Sequence, residues 1–324
     1  MKTAIYTSYG SPEVIEVVNK ETPSPKPNEV LVNIKASSAT RADTMMRAGM
    51  PKFGRLFLGL FKPKNTSLGT GFSGTVEAVG SDVSIFKIGD EIFGEKLFRN
   101  GTNAEYLCIS ETSIIALKPT TLSHEEAAPV CDGFLTSYNF LKDIGDLKEG
   151  QHILINGASG SLGTAAVQLA KIMGATVTGV CSTRNIDLVK SLGADFVIDY
   201  KKEDFTHKTN TYDVIYDAVG KNNFSKSKNA LKLNGVFITP VLSLNALWYS
   251  IFKPKRVKFA ATGLKKTEEL KRLFLEIADF FKQKRLKTVI DKSYKLSEII
   301  EAHYYLETDR KIGNIVIINP KTNS

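Results

Sequence analysis

Cysteine is scarce in this chain, with three thiols, Cys108, Cys131 and Cys181, among 324 residues. An odd count with no CxxC pair excludes a disulfide framework and a cysteine-rich zinc knuckle. Histidine is scarce too: the four, His124, His152, His207 and His303, stand far apart in sequence. No apolar run approaches the ~20 residues of a membrane-crossing helix. The opening Met1–Tyr6 reads as a strand, not as a charged region feeding an apolar leader core. Internal repeats and low-complexity stretches are missing as well. These absences lead to the expectation of a reduced, unexported, cytoplasmic protein.

What is present is an ordinary globular mixture, 42% apolar and 24% charged residues, which argues against disorder. The length suggests two domains at roughly 100–200 residues each. Lysine and arginine outnumber the acids by 43 to 34, a net charge of +9. Such a balance suits nucleic acid, anionic lipid or an anionic cofactor. The basic residues are dispersed, however, so a solvated lysine-rich surface is the plainer explanation.

Up to about residue 120 the pattern is of short β-type runs: Thr3–Thr7, Val14–Val18, Val30–Ile34, Thr75–Val79, Glu91–Phe93, Glu105–Ile109 and Ile114–Leu117. Gly80, Gly89-Asp90 and Asn100-Gly101 punctuate them as turns. This predicts an all-β unit, a partly opened barrel. Near Leu122 the pattern changes. Ser123 and Glu126 have capping-box spacing ahead of a helix over Glu125–Lys142. Strands at His152–Ile155, Thr176–Val180, Phe196–Ile198, Val214–Tyr216, Val236–Thr239 and Lys258–Ala261 then alternate with helices at Leu162–Met173, Ile186–Leu192 and Phe224–Leu231. That alternation predicts an α/β, doubly wound parallel sheet. The tail predicts helices at Glu268–Lys284 and Leu296–Leu306, with Ser297 as N-cap of the second, and a strand at Asn314–Ile318.

The sharpest chemical signal is Asn156-Gly157-Ala158-Ser159-Gly160-Ser161-Leu162-Gly163, between an apolar strand and a helix. Glycines there permit a tight turn and close approach of backbone to a pyrophosphate, which the helix N-terminus attracts. An NAD site usually has a carboxylate about 20 residues on, for the ribose 2′-OH. Here the stretch reads Gly179-Val180-Cys181-Ser182-Thr183-Arg184-Asn185, and the first acid after the loop is Asp187, inside the next helix. A hydroxyl and a guanidinium attract a 2′-phosphate, so Ser182 and Arg184 favour NADPH.

These residues resemble the medium-chain dehydrogenase/reductase superfamily, and within it the zinc-free quinone oxidoreductase branch. The resemblance runs along nearly the whole chain, through Glu29-Val30-Leu31-Val32, Gly69–Gly80, Gly89–Gly94, Asn103–Tyr106, the glycine loop, Gly193-Ala194-Asp195, Ile198-Asp199-Tyr200, Asp217–Gly220 and Lys311–Val316. It implies a GroES-like β-barrel catalytic domain over 1–124, a Rossmann NADPH-binding domain over 125–263, and a return to the catalytic domain over 264–324. It implies an active site in the cleft between the two domains, and it makes a homodimer the expected assembly. The zinc branch's three ligand positions fall on Thr40, Thr70 and Asp132, two hydroxyls and one carboxylate, a poor set for zinc. No metal is therefore expected.

Without a Lewis acid to stabilise an alkoxide, hydride delivery to an electron-poor carbon is the easier chemistry. The resemblance thus implies an NADPH-dependent oxidoreductase acting on a quinone, an enal or an enone. By position it assigns Thr136, Ser159, Gly160, Ser161, Leu162, Gly163, Ser182, Arg184, Tyr200, Val219, Gly220, Gly313 and Asn314 to the cofactor. Thr40 and Asp43 fall on the substrate side, with helix capping the plainer role for Asp43. Asp132 is a candidate proton donor if burial raises its pKa. A zinc-free alcohol or aldehyde oxidoreductase, and a non-catalytic nucleotide- or RNA-binding relative of the fold, remain alternatives. No aromatic-basic RNA module is visible, which disfavours nucleic acid as partner.

Two segments are unusually apolar for loops, Phe53–Phe61 and Leu242–Phe252, each followed by a basic run, Lys62-Pro63-Lys64 and Lys253-Pro254-Lys255-Arg256. They have three readings: lining an apolar substrate pocket, a subunit interface, or peripheral membrane contact.

Overall fold

The computed structural model describes residues 1–96, 101–260, 262 and 265–319. The chain divides into two compact units, Met1–Asp132 with Phe274–Ser324, and Gly133–Leu273. The expected boundary between 263 and 264 falls on residues outside the described ones, as do Asn100 of the expected turn and Ala261 of the expected strand.

The first unit opens with β1 (Lys2–Tyr6), β2 (Ile15–Asn19), β3 (Glu29–Ala39), helices α1 (Arg41–Ala48) and α2 (Arg55–Leu58), then β4 (Gly71–Val79), β5 (Glu91–Glu95), β6 (Tyr106–Ser110), β7 (Ile114–Leu117) and α3 (His124–Ala127). β3 and β4 run longer than the apolar runs suggested. Their extensions, Lys35–Ala39 and Gly71–Gly74, carry mostly small or polar residues around the single large apolar Phe72, too little alternation for period-two hydrophobicity to flag. β1 and β2 pair on their own, while the main sheet runs β7-β5-β4-β3, with β6 also on β3. Its apolar face buries Val30, Val32, Ile34, Phe72, Ile92, Leu107 and Ile115 together.

Ser123 and Glu126 form the expected capping box, but the single helix predicted over Glu125–Lys142 is interrupted. Wider π-helical turns at Cys131–Leu135 and Phe140–Ile144 flank α4 (Thr136–Asn139). The second unit continues with β8 (His152–Asn156), α5 (Ser161–Ile172), β9 (Thr176–Cys181), α6 (Ile186–Ser191), β10 (Phe196–Asp199), β11 (Tyr212–Asp217), α7 (Phe224–Ser227), β12 (Leu231–Thr239), α8 (Leu244–Phe252) and β13 (Val257–Phe259). All six strands are parallel, in the order β10-β9-β8-β11-β12-β13. The helix expected over Phe224–Leu231 stops at Ser227. The carbonyls of Asn229 and Ala230 accept from the amides of Asn210, Thr211 and Tyr212 instead, and Leu231 already begins β12.

The chain leaves the second unit within α9 (Thr267–Lys282) and ends with β14 (Ile290–Lys295), α10 (Ile299–Glu307) and β15 (Asn314–Ile318). β15 inserts between β14 and β3, completing the order β14-β15-β3-β4-β5-β7. Ser297 is not an N-cap. It lies within a 3-10 turn over Leu296–Glu298, because the Lys295 amide donates to the Glu298 carboxylate and starts the helical path two residues earlier. No helix among the described residues is long and apolar enough to cross a membrane.

One ion pair ties the two sequence segments of the first unit together. Arg47 on α1 is fully buried, donates to the Gly10 carbonyl and pairs with Glu307 at the end of α10. A buried guanidinium that loses its counter-charge is strongly destabilising, although Glu307 is itself partly exposed. Glu307→Ala should therefore lower stability by about 2–3 kcal/mol, read as a lower urea midpoint at unchanged slope. An unmoved midpoint would show that solvent alone compensates Arg47.

Candidate functional site

In the second unit the parallel sheet brings four strand ends to one edge. β8 ends at Asn156, and the turn begins at Gly157, in the left-handed region with φ 83°. The Gly157 and Ala158 amides both donate to the Val180 carbonyl, which locks the turn onto β9. A Cβ on Gly157 would lie 2.1 Å from Cγ2 of Val219, and one on Gly163 would lie 2.1 Å from the Gly157 carbonyl oxygen. No side chain fits at either position. Gly160 is the N-cap of α5 and no side chain caps that helix. The amide-rich first turn, Ser161, Leu162 and Gly163, is therefore open to an anion, favoured further by the helix dipole. The Ser159 hydroxyl is held by the Asn185 amide at 2.9 Å. Thr136 begins α4, whose next residue, Ser137, donates to the Leu162 carbonyl at 2.9 Å.

Val219 and Gly220 follow β11, and their amides donate to the buried Asp217 carboxylate. Asn156 and the Asn222 amide donate to it as well. Burial pushes the Asp217 carboxyl up, and these bonds pull it back only in part. Asp217 thus shapes the loop that carries Val219 and Gly220.

The parallel register of β9 and β10 sets Asp199 beside Cys181, and the Tyr200 amide donates to the Cys181 carbonyl. Tyr200 is thereby placed next to Ser182, with Arg184 exposed on the same loop. Reading along the chain for an acid at the end of β9 missed Asp199, which arrives from the neighbouring strand. Its carboxylate is already engaged, accepting from the Thr183 hydroxyl at 2.6 Å and from the Lys201 amide. The Thr183 hydroxyl in particular holds it below the usual carboxylate range. Lys201 and Lys202 add positive charge beside it.

The first unit carries a different group. Thr40 is the N-cap of α1 and Asp43 its third residue, in a reciprocal capping box. Asp43 is fully buried and accepts from the Thr40 amide and hydroxyl and from the Gly69 amide. The Thr70 hydroxyl donates to Asp132 Oδ1 at 2.7 Å, while Asp132 Oδ2 is buried without a hydrogen-bond partner. Sequence reasoning missed two members of this group. β4–β5 pairing sets Glu95 opposite Gly71, and a Cβ on Gly71 would lie 2.9 Å from Asp132 Oδ2. Lys311, whose ammonium donates to the Gly313 carbonyl at 2.6 Å, is the second. Only strand register reveals Glu95, and only the return of the chain as β15 reveals Lys311.

Burial dominates the electrostatics of this group. It pushes Glu95 up to about 8, with the Asp132 and Asp43 charges adding to the effect. Asp132 is raised by burial, and partly restrained by Ser38 and Thr70. Lys311 is lowered to about 8 by burial, against the pull of Asp291 and Asp132. Gly313, with φ 60°, and Asn314, whose amide group donates to the Val289 carbonyl, belong to this unit. The hydroxyls at two predicted ligand positions, Thr40 and Thr70, are donating to Asp43 and Asp132. Among the described residues no group of three or more histidines, cysteines or acids is placed to hold a metal ion.

A glycine-turn Rossmann unit joined to a GroES-like unit defines a dehydrogenase/reductase. The alcohol dehydrogenase GroES-like domain family matches residues 26–131, and the zinc-binding dehydrogenase family matches residues 192–317. The 2-methylene-furan-3-one reductase of Solanum lycopersicum is 33% identical over 98% of this chain and 79% of its own length. The solved quinone oxidoreductase of Coxiella burnetii superposes with TM-score 0.86 at 31% identity, covering 98% of this chain and 99% of that one. The Escherichia coli quinone oxidoreductase complexed with NADPH gives TM-score 0.85 at 26% identity, covering 98% and 100%. The chain belongs to the quinone oxidoreductase-like branch of the medium-chain dehydrogenase/reductase superfamily, and it is an NAD(P)H-dependent oxidoreductase.

The raised Glu95 has a consequence for stability. The unfolded chain releases this proton near ~4.3, whereas the folded chain keeps it to about 8. Across that window the native state binds more protons, so stability falls as pH rises. Glu95→Gln should remove part of that fall: thermal melts of variant and wild type should diverge in the variant's favour as pH climbs through the window. Parallel melting curves at all pH values would show that Glu95 ionises freely in the folded protein.

Proposed function

We propose that this chain is a zinc-independent, NADPH-dependent reductase that delivers hydride to the electron-poor carbon of a quinone or an α,β-unsaturated carbonyl. The observation that carries the reading is the Thr70–Asp132–Glu95 group: two of the positions where zinc relatives place ligands hold a hydroxyl bonded to a carboxylate, beside the raised Glu95. Hydride addition to a β-carbon leaves charge on the carbonyl oxygen, and a preorganised donor in a water-poor site stabilises it strongly. A carboxyl raised toward neutrality gives a hydrogen bond and then the proton. Lys311 supplies a compact positive charge to the same group. Thr40 and Asp43, locked in their capping box, act as positioning residues for the Gly69–Gly71 segment. The tomato relative, named for reducing a 2-methylene-furan-3-one, supports an enone as the substrate class.

Bound NADPH would supply the hydride. The α5 N-terminus, with Gly160, Ser161, Leu162 and Gly163, fits a pyrophosphate because the cradle admits no side chain and carries no cap. Ser182, Arg184 and Tyr200 offer a 2′-phosphate hydroxyls and a guanidinium, and Lys201 and Lys202 offset the Asp199 charge beside them. Losing one charge-assisted contact costs roughly 1.5–3 kcal/mol. Arg184→Ala should thus weaken NADPH binding by about one to two powers of ten and leave NADH nearly untouched. Equal losses for both cofactors would reject the 2′-phosphate assignment.

NADPH oxidation assayed with an enal, an enone and a small quinone tests the reaction itself, with zinc measured by elemental analysis on the same sample. Turnover of at least one acceptor, unaffected by chelation and without stoichiometric zinc, is expected. One zinc per chain, lost together with activity, would overturn the reading. Asp132→Asn should also shift the alkaline limb of the kcat–pH profile. An unchanged limb at full turnover would remove Asp132 from the proton path.

A further inference from the structure

The segment that reads as an apolar loop in sequence folds as α8, capped by the Ser243 hydroxyl at the Ala246 amide. Leu244, Trp248, Ile251 and Phe252 recur at i, i+4, i+7 and i+8, so they share one helix face. They are 72%, 61%, 71% and 61% exposed. The opposite side anchors the helix: Ala246 is buried, and Tyr249 packs on the Phe224 ring and hydrogen-bonds Ser225 at 2.6 Å. The Trp248 and Phe252 rings lie 4.3 Å apart and make the outer stripe continuous. The apolar face is therefore held outward by its own anchoring.

Charge selects the occupant. No aspartate or glutamate stands between Asp217 and Glu268, while the same stretch holds ten lysines and arginines. Lys255 follows α8 and is exposed, whereas the Lys253 ammonium sits over the Phe224 ring, on the side that anchors the helix. We infer that α8 docks on an anionic lipid surface, its Leu244–Trp248–Ile251–Phe252 stripe entering the acyl boundary and Lys255 meeting the headgroups. An exposed apolar stripe with tryptophan, flanked by cations, has the composition of an interfacial helix. A second copy of this chain fits less well. A two-fold contact through the stripe would add a second stretch of basic residues with no acid between Asp217 and Glu268 to pair them.

Trp248 is the chain's one tryptophan, so its emission reports on this helix alone, without reference to catalysis. Phosphatidylcholine vesicles containing phosphatidylserine should shift that emission to the blue and carry the full-length protein into the pellet. Phosphatidylcholine alone should do neither, and high salt should reverse the binding. Ile251→Asp with Phe252→Asp should abolish both signals. Lys255→Gln should lower partitioning about fivefold. No shift with anionic vesicles would overturn the inference. So would a blue shift produced by raising protein concentration without lipid, which would mark a second copy, or one produced only by an enal or by NADPH, which would mark a substrate cover.

Discussion

The approach of α5 to the turn after β8 is so close that a methyl group on Gly163 would meet the Gly157 carbonyl at 2.1 Å. This single steric constraint organises the second unit. It seats the helix N-terminus against the strand ends, so the first-turn amides face outward at the sheet edge. The Val180 carbonyl then holds the turn to β9, and β9 holds β10 through the Cys181–Asp199 register. Ser182, Arg184 and Tyr200 are gathered by that register although 18 residues separate Ser182 from Tyr200. Any residue larger than glycine at 163 would push α5 away and dissolve the arrangement, whatever the other side chains are.

Carboxylates here fall into two kinds, by how many donors reach them. Asp217 and Asp199 of the second unit, and Asp43 of the first, accept several hydrogen bonds from amides and hydroxyls. The Asp132 Oδ2 atom, in the first unit, is buried without a donor, and burial raises the neighbouring Glu95. A saturated carboxylate holds its loop. An undersaturated one keeps its proton and can donate it.

The outline of the fold was legible because its signals are local. Alternating strands and helices, the Ser123 cap and the glycine turn depend on residues near one another in sequence, and β7 and β15 appear at their predicted positions. What was not legible depends on pairing at a distance. Glu95 enters the acid group through its register with Gly71, and Asp199 reaches the nucleotide edge from β10. The helix expected over Phe224–Leu231 is cut short because Leu231 pairs with Tyr212 as the first residue of β12. α8 was concealed by its own composition. Apolar residues on the solvent side remove the amphipathic contrast by which a surface helix is ordinarily read.

The threonines at positions 40 and 70 also set what this group can do. A Lewis acid stabilises an oxyanion at any proton concentration, because its charge does not depend on protonation. Threonine hydroxyls cannot do that; here they donate inward, to Asp43 and Asp132, and fix two carboxylates in place. Under the zinc-independent chemistry proposed for this chain, that stabilisation would come from the proton that burial favours on Glu95, next to Asp132. The same burial that makes the donor costs the folded state stability as pH rises. An acid group of this kind ties reactivity to the protonation of Glu95 and Asp132, and it suits a reaction whose product must take up a proton. Reduction of a conjugated double bond is such a reaction: hydride reaches the β-carbon, and the enolate left behind must take up a proton.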